Sequence, residues 1–338
     1  MILLIMIMLV VTAGIIQWAT PTVQNAQYEA QYRAARGYFE ILDSAIEDAV
    51  VMGSNACRNT YLSTGAGEIY FGKKETWVLA YGLNKSLRIG FSGLEDGDNK
   101  FQINATQDIN VNISIYWPEG DNFGDAKYHN VDNIGTTQTV TANNPLAGTV
   151  YIRVNITTTP QEVLAELWLF DINCIEYKLA SPLGTYYIRA ENAGTLTQAT
   201  SERWVCNKPM FQESDSTLLM WIANFTKKGI SGGGAGDYHF NIRAQGGYVR
   251  ASRSVYNLTL QICYGEYPKW NEVWYSYFLA GYNAANISGS ADSYKGFVED
   301  SSEDRLFYKT AGSDYQTAGN EIKLKLIQCS AEFEMTVG

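Results

Sequence analysis

The chain has 338 residues, 46% of them hydrophobic, enough to close a sizeable core and to be read as a globular protein. Its formal charge of -10, with no cluster of Lys or Arg, excludes a nucleic-acid binder that works by neutralising phosphates. Tyr outnumbers Phe by 23 to 13, and Asn, Thr, Ser and Gly fill much of the remainder, a composition suited to an exposed extracellular β protein.

From Met1 to Tyr28 there is no Asp, Glu, Lys or Arg, and the first nineteen residues are almost all apolar. As a helix, ~20 such residues rise ~30 Å, the thickness of a bilayer's hydrocarbon layer. A secretory signal peptide carries a basic stretch before its apolar run. Here the apolar run begins at once, so Met1 is read as the start of a processed chain whose basic leader has been removed. Ile2, Leu3, Leu4, Ile5, Ile7, Leu9, Val10, Val11, Ile15, Ile16 and Trp18 give this segment apolar side chains on every face. It needs shelter in lipid or among copies of itself. Stable membrane spans are flanked by Lys or Arg anchors, and the first cation here is Arg33.

Residues 24–56 keep helical composition without Pro, and Ile41, Leu42, Ala45, Ile46, Ala49 and Val50 recur at helical spacing. That stripe is expected to lie on a folded domain, with Gly53, Ser54 and Asn55 ending the helix. Pro21 removes a hydrogen bond and crowds the preceding turn, so a kink or unwound segment is expected there, with Gly14 a weaker breaker nearby.

The uncharged apolar N-terminal helix, its amphipathic continuation and the β-rich remainder resemble type IV pilins, particularly archaeal ones. The resemblance covers residues 1–56 by pattern and the rest only in general character. Ile5 stands where bacterial pilins carry a Glu, which favours an archaeal member. Pro21 is similar in place to the helix-breaking Pro of many bacterial pilins. The resemblance implies a prepilin peptidase that removes the leader, transient residence in the membrane, and an assembly ATPase that packs identical subunits into a filament. Subunits of archaeal motility filaments share this plan.

Beyond Cys57, short runs rich in Ile, Val, Tyr, Phe and Thr alternate with Gly, Asn and Asp clusters. Strands are expected at 76–81, 87–91, 109–117, 150–156, 163–170, 186–190, 238–244, 257–264 and 322–329. At 109–117 the apolar residues take the odd positions, so one face is buried. The fold class is α+β: a long N-terminal helix, then an all-β region of sandwich type with room for two sandwiches. The division drawn is 1–56 for the helix, 57–180 for a first β region and 181–338 for a second, with the boundary near Lys178–Pro182. Residues 229–236 are glycine-rich, but no Lys follows them as a phosphate-binding loop requires.

Asn-x-Ser/Thr sequons occur at Asn84, Asn104, Asn112, Asn155, Asn224, Asn257 and Asn286, all in the β region. They are candidate sites of covalent N-glycans, and each is then expected to face solvent. Cys57, Cys174, Cys206, Cys263 and Cys329 include no C-x-x-C pair, which argues against zinc and for disulfides of undetermined connectivity. The alternative is five reduced, buried thiols.

Only His129 and His239 are available to a His-dependent triad, and neither sits in a known motif. The acidic groups Glu95/Asp96/Asp98, Glu119/Asp121/Asp125 and Glu299/Asp300/Glu303/Asp304 lack the calcium-loop template and read as solvated turns. The aromatic run at 264–282, with Trp270, Trp274, Tyr275, Tyr277 and Phe278, reads as strand packing, against an exposed adhesive patch as the alternative. The chain is therefore expected to be no enzyme, with no metal or cofactor. Its expected role is that of a structural subunit of an extracellular surface filament, a homopolymer serving adhesion or surface contact. A motility-filament subunit and a single-pass membrane-anchored surface glycoprotein are the alternatives.

Overall fold

The computed structural model describes residues 2–337 except 85–88, 93–98, 106, 119–122, 124–126, 132–136, 145, 147, 200–202, 208–210, 215–216, 231–235, 303–304, 311–320 and most of 264–295. Within that last stretch Trp270, Val273, Trp274 and Tyr277 are described.

The first element, α1, is one helix over Ile2–Met52. It runs through Gly14 and Pro21, so the unwound segment expected at Pro21 is absent. Pro21 leaves the carbonyl of Gln17 without its N–H partner. Gln17 is exposed, so that carbonyl meets solvent and no buried orphan is created. One turn on, Thr22 Oγ1 donates to the Trp18 carbonyl at 3.1 Å, adding a bond beside the gap. The helix ends as the sequence suggests: Gly53 takes φ 88° and Asn55 φ 67°, left-handed conformations that a continuing helix cannot use.

The rest of the described chain is mostly β. Its strands are β1 (Cys57–Ser63), β2 (Glu68–Gly82), β3 (Ile89–Ser92), β4 (Lys100–Ala105), β5 (Val111–Tyr116) and β6 (Lys127–Val131). Then come β7 (Gln138–Thr141), β8 (Val150–Ile156), β9 (Val163–Ser181), β10 (Gly184–Glu191), β11 (Gly194–Gln198) and β12 (Arg203–Asn207). The last are β13 (Phe211–Ser214), β14 (Thr217–Ile230), β15 (Asp237–Cys263), β16 (Gly296–Ser302), β17 (Arg305–Thr310) and β18 (Ile322–Val337). One path of paired strands runs β12-β11-β10-β9-β2-β15-β18-β14-β13, and a separate sheet has the order β3-β4-β7. The β14–β18 pair is parallel, joined by the chain's passage through β15 and beyond.

Two expectations fail for an identifiable reason. The runs at 238–244 and 257–264 belong to a single strand, β15, which stays paired with β18 through irregularities at Ala244/Gly246 and Val249/Ala251. Glycine between two apolar runs here bends a strand instead of turning it. The boundary at Lys178–Pro182 is likewise no linker. Ser181 pairs with Gly184 across a tight turn, and Ser181 Oγ donates to the Gly184 carbonyl at 2.9 Å. Strands from both sides of that point also pair directly, β2 with β15, so the proposed halves share a sheet.

Burial falls into three clusters. The first is lined by Trp77, Trp168, Phe170, Met220, Leu260 and Leu324 and covered by Trp270, Val273 and Trp274. The second joins α1, through Tyr32, Phe39, Leu42 and Ile46, to β9, β10, β15 and β18. The third lies among Phe101 and Ile103 of β4, Ile113 of β5, Ile152 of β8 and Leu167 of β9.

Candidate functional surface

The amphipathic half of α1 docks one face on the β region. Tyr32, Ala35, Phe39, Leu42, Ile46, Ala49 and Val50 recur every three or four residues and are all buried. The Tyr32 ring packs at a tilt on Tyr186, centroids 4.9 Å apart, and Asn55 N donates to the Ala244 carbonyl at 2.8 Å, fixing both ends of the docked half. The charges of the helix all lie from Glu29 onward; the helix pairs Glu29–Arg33 and Arg36–Glu40 among them are at least partly exposed and worth little to stability.

The other half of α1 is exposed through Trp18. Leu3, Leu4, Ile5, Ile7, Leu9, Val10, Val11, Ile15, Ile16 and Trp18 are 49–74% exposed. Ile2 lies on the same helix, with its side chain outside the described set. None of the most apolar stretch of the helix is buried. This length of helix, ~27 Å over residues 2–19, stands as an exposed apolar rod. Sheltering about twelve such side chains from water is favourable by on the order of 20 kcal/mol.

The sequons do not all face solvent. Asn155 is only 6% exposed and its Nδ2 donates to the Pro160 carbonyl at 2.6 Å, so the nitrogen a glycan would take is committed and enclosed. Both faces of β8 are covered, which removes the outward position that a strand sequon needs. Asn84, Asn104, Asn112 and Asn224 are half-buried. The Asn257 side chain and Asn286 lie outside the described set. Peptides carrying Asn155 are expected only at their unglycosylated mass, and Asn155→Gln should leave the glycan content of the intact chain unchanged by mass spectrometry.

Among the described side chains no two cysteines are bridged: Cys57 is exposed, Cys206 half-buried, and Cys174 and Cys329 buried. Their cross-strand neighbours explain this: Cys57 faces Arg243, Cys174 faces Lys73, and Cys329 faces Ala223 and Gly247. Burial pushes the Cys329 thiol up to about 12 and raises Cys174 as well, keeping both neutral. Cys263 ends β15, its side chain not among those described.

His239 is exposed, with its ring 5.3 Å from Tyr61. The His129 side chain and the three acidic groups fall outside the described side chains. Among the described residues no three His, Cys, Asp or Glu side chains gather as metal ligands. Trp270 and Trp274 are buried in the first core, 2% and 0% exposed, which places them in packing and not on an adhesive surface.

Two buried polar networks carry no sequence signature. Glu166 accepts from Tyr151 Oη at 2.6 Å, Tyr81 Oη at 2.7 Å and the Arg253 guanidinium at 3.0 Å. Arg189 is ringed by three glutamates. No model of a known protein family matches the chain, and no curated protein or solved structure does either.

Proposed function

We propose that the chain is a structural subunit of an extracellular filament of the archaeal type IV pilus kind, polymerising through α1. One observation carries this reading: about 27 Å of uncharged apolar helix, residues 2–19, stands exposed beyond a folded domain that buries one face of the helix's other half. Such a rod is stable in the bilayer before assembly and among identical rods afterwards. The absence of Lys and Arg from residues 1–32 eases its departure from lipid. The β region, read as sandwich-like layers about the first and third cores, forms the sheath around the rods. N-glycans at accessible sequons coat it, and surface contact or adhesion follows. Peptidase processing and an ATPase-driven machine belong to this reading; catalysis, cofactors and nucleic acid do not.

A motility filament would use the same rod and differ in its machinery. A permanently anchored monomer would keep it in the membrane. Electron microscopy of a sheared surface fraction from cells producing the chain tests the proposal. Regular fibres containing the chain are expected. Recovery solely as detergent-soluble monomers would overturn it.

A further inference from the structure

The strands beside α1 end together where the rod begins. Tyr32 of the helix packs on Tyr186, which follows the β9–β10 turn, and Gly65 of the β1–β2 turn lies against the Gln31 side chain. At the far end of the docked half Asn55 bonds Ala244, and Cys57 faces Arg243. From there β1 runs back toward the rod as far as Ser63, which faces Asp237, and β18 reaches the same level with Val337 opposite Tyr238. Thr64 ties these ends together: its N–H donates to the Gly236 carbonyl at 2.9 Å, its Oγ1 accepts from Gly236 N at 2.6 Å, and its carbonyl accepts from Tyr177 Oη at 3.0 Å.

Among the described residues, the turns at this end carry no charge, although 18% of the chain is charged. Residues 64–67 are Thr-Gly-Ala-Gly, 181–184 are Ser-Pro-Leu-Gly, and helix residues 20–28 add no ionised side chain. Charges begin inside the strands, where Glu68 faces Lys178 and Asp237 accepts from Ser63 and Tyr61. Leu183, 57% exposed, is the large apolar side chain at the hairpin tip. β9 carries that tip outward, since Ser181 stands three positions past Lys178, the partner of the first residue of β2. Ser181 Oγ donates to the Gly184 carbonyl and accepts from Leu183 N at 3.2 Å, so the turn holds Leu183 out in one fixed shape.

Helix length fixes where this end sits relative to a membrane. Residues 2–19 rise ~27 Å, close to the ~30 Å of hydrocarbon, and Trp18, 74% exposed, falls at the boundary where aromatic rings collect. A headgroup layer adds only ~5–8 Å per leaflet. From Tyr186 back to Leu183 the strand covers up to ~10 Å, which sets the tip level with about Asn25, ~9 Å of helix above Ala19. We propose that the uncharged end of the β region lies on the lipid surface while the rod spans the bilayer, with Leu183 seated among the headgroups. The partner is a bilayer surface met without a basic patch, so the contact does not depend on anionic lipid. It presumes the membrane residence that the filament and the anchored-monomer readings share, and adds which face of the β region meets the lipid.

The test uses the full chain in phosphatidylcholine vesicles, with photoreactive benzoylphenylalanine replacing one residue at a time: Leu183, Ile15 of the rod, or Val249. All three side chains are exposed, at 57%, 60% and 60%, so none of the replacements disturbs packing. Val249 lies on β15 past Gly246, which approaches Ser54 at the far end of the helix, so it reports chance encounters with lipid. Mass spectrometry of the illuminated chain reads the lipid adduct. Adducts are expected from Ile15 and Leu183 and none from Val249, with the Leu183 yield unchanged when phosphatidylglycerol is mixed into the vesicles. An adduct from Ile15 without one from Leu183 would overturn the surface contact and leave the rod's membrane residence standing, whereas no adduct from either position would overturn both. A Leu183 product that joins two copies of the chain in place of lipid would assign this end to subunit contacts and sink the proposal, as would an equal yield from Val249.

Discussion

Leu9→Asp and Ile15→Asp subunits are expected to fold normally and to yield no filaments. In the isolated subunit Leu9 is 64% exposed and Ile15 60% exposed, and neither touches the β region, so a carboxylate there disturbs no internal packing. Inside a bundle of apolar rods the same carboxylate loses its water and finds no partner, because the rod carries no cation before Arg33. The penalty is several kcal/mol per subunit, repeated at every subunit of a polymer. Fibre yield should therefore drop by orders of magnitude, while circular dichroism and protease resistance of the β region match the wild type. Leu9→Met, which keeps volume and hydrophobicity, should assemble. Wild-type fibre yield from Leu9→Asp would mean that the rod is not packed among rods.

The sequence made the rod legible because hydrophobicity on every face is a one-dimensional signal that needs no partner to be read. The same holds for the helix stop at Gly53, where glycine supplies a conformation other residues resist. Strand interiors were legible too: the run at 150–156 became β8 with the same limits. What failed was punctuation. Pro182 and Gly184 mark a turn in either a hairpin or a linker, and only long-range pairing of β2 with β15 decides between them. Gly246 and Gly247 mark a bend that a local reading takes for a loop. Buried polar chemistry was invisible for a related reason. Glu75, Glu176, Arg189 and Glu191 lie up to 116 positions apart and meet only because three strands stand side by side. In sequence each is an ordinary charge within a strand-like run, easily assigned to solvent. Asn155 shows the converse error, a sequon that reads as a surface site until β8 is found covered on both faces.

Arg189→Met should be the most damaging single substitution in the β region, lowering stability by about 3–5 kcal/mol and the melting temperature by on the order of 10 °C. Methionine fills similar volume, so the loss comes from charge and not from a cavity. It removes the cation with which Glu75, Glu176 and Glu191, each at most 3% exposed, all pair. It also removes the planar group over which Trp270 sits. Adding Glu75→Gln and Glu176→Gln to Arg189→Met should recover much of the loss, since two of the three buried negative charges then disappear with their counter-ion. Arg33→Met is the contrasting case. Its pair with Glu29 is exposed on both sides, at 69% and 54%, and such pairs contribute only ~0.3–0.5 kcal/mol. Thermal unfolding followed by circular dichroism compares the variants directly. If Arg189→Met melts with the wild type, the three glutamates hold enough protons among themselves to need no cation. If the triple variant melts as low as Arg189→Met alone, shape around the guanidinium outweighs charge, and the cluster holds the tryptophans by packing.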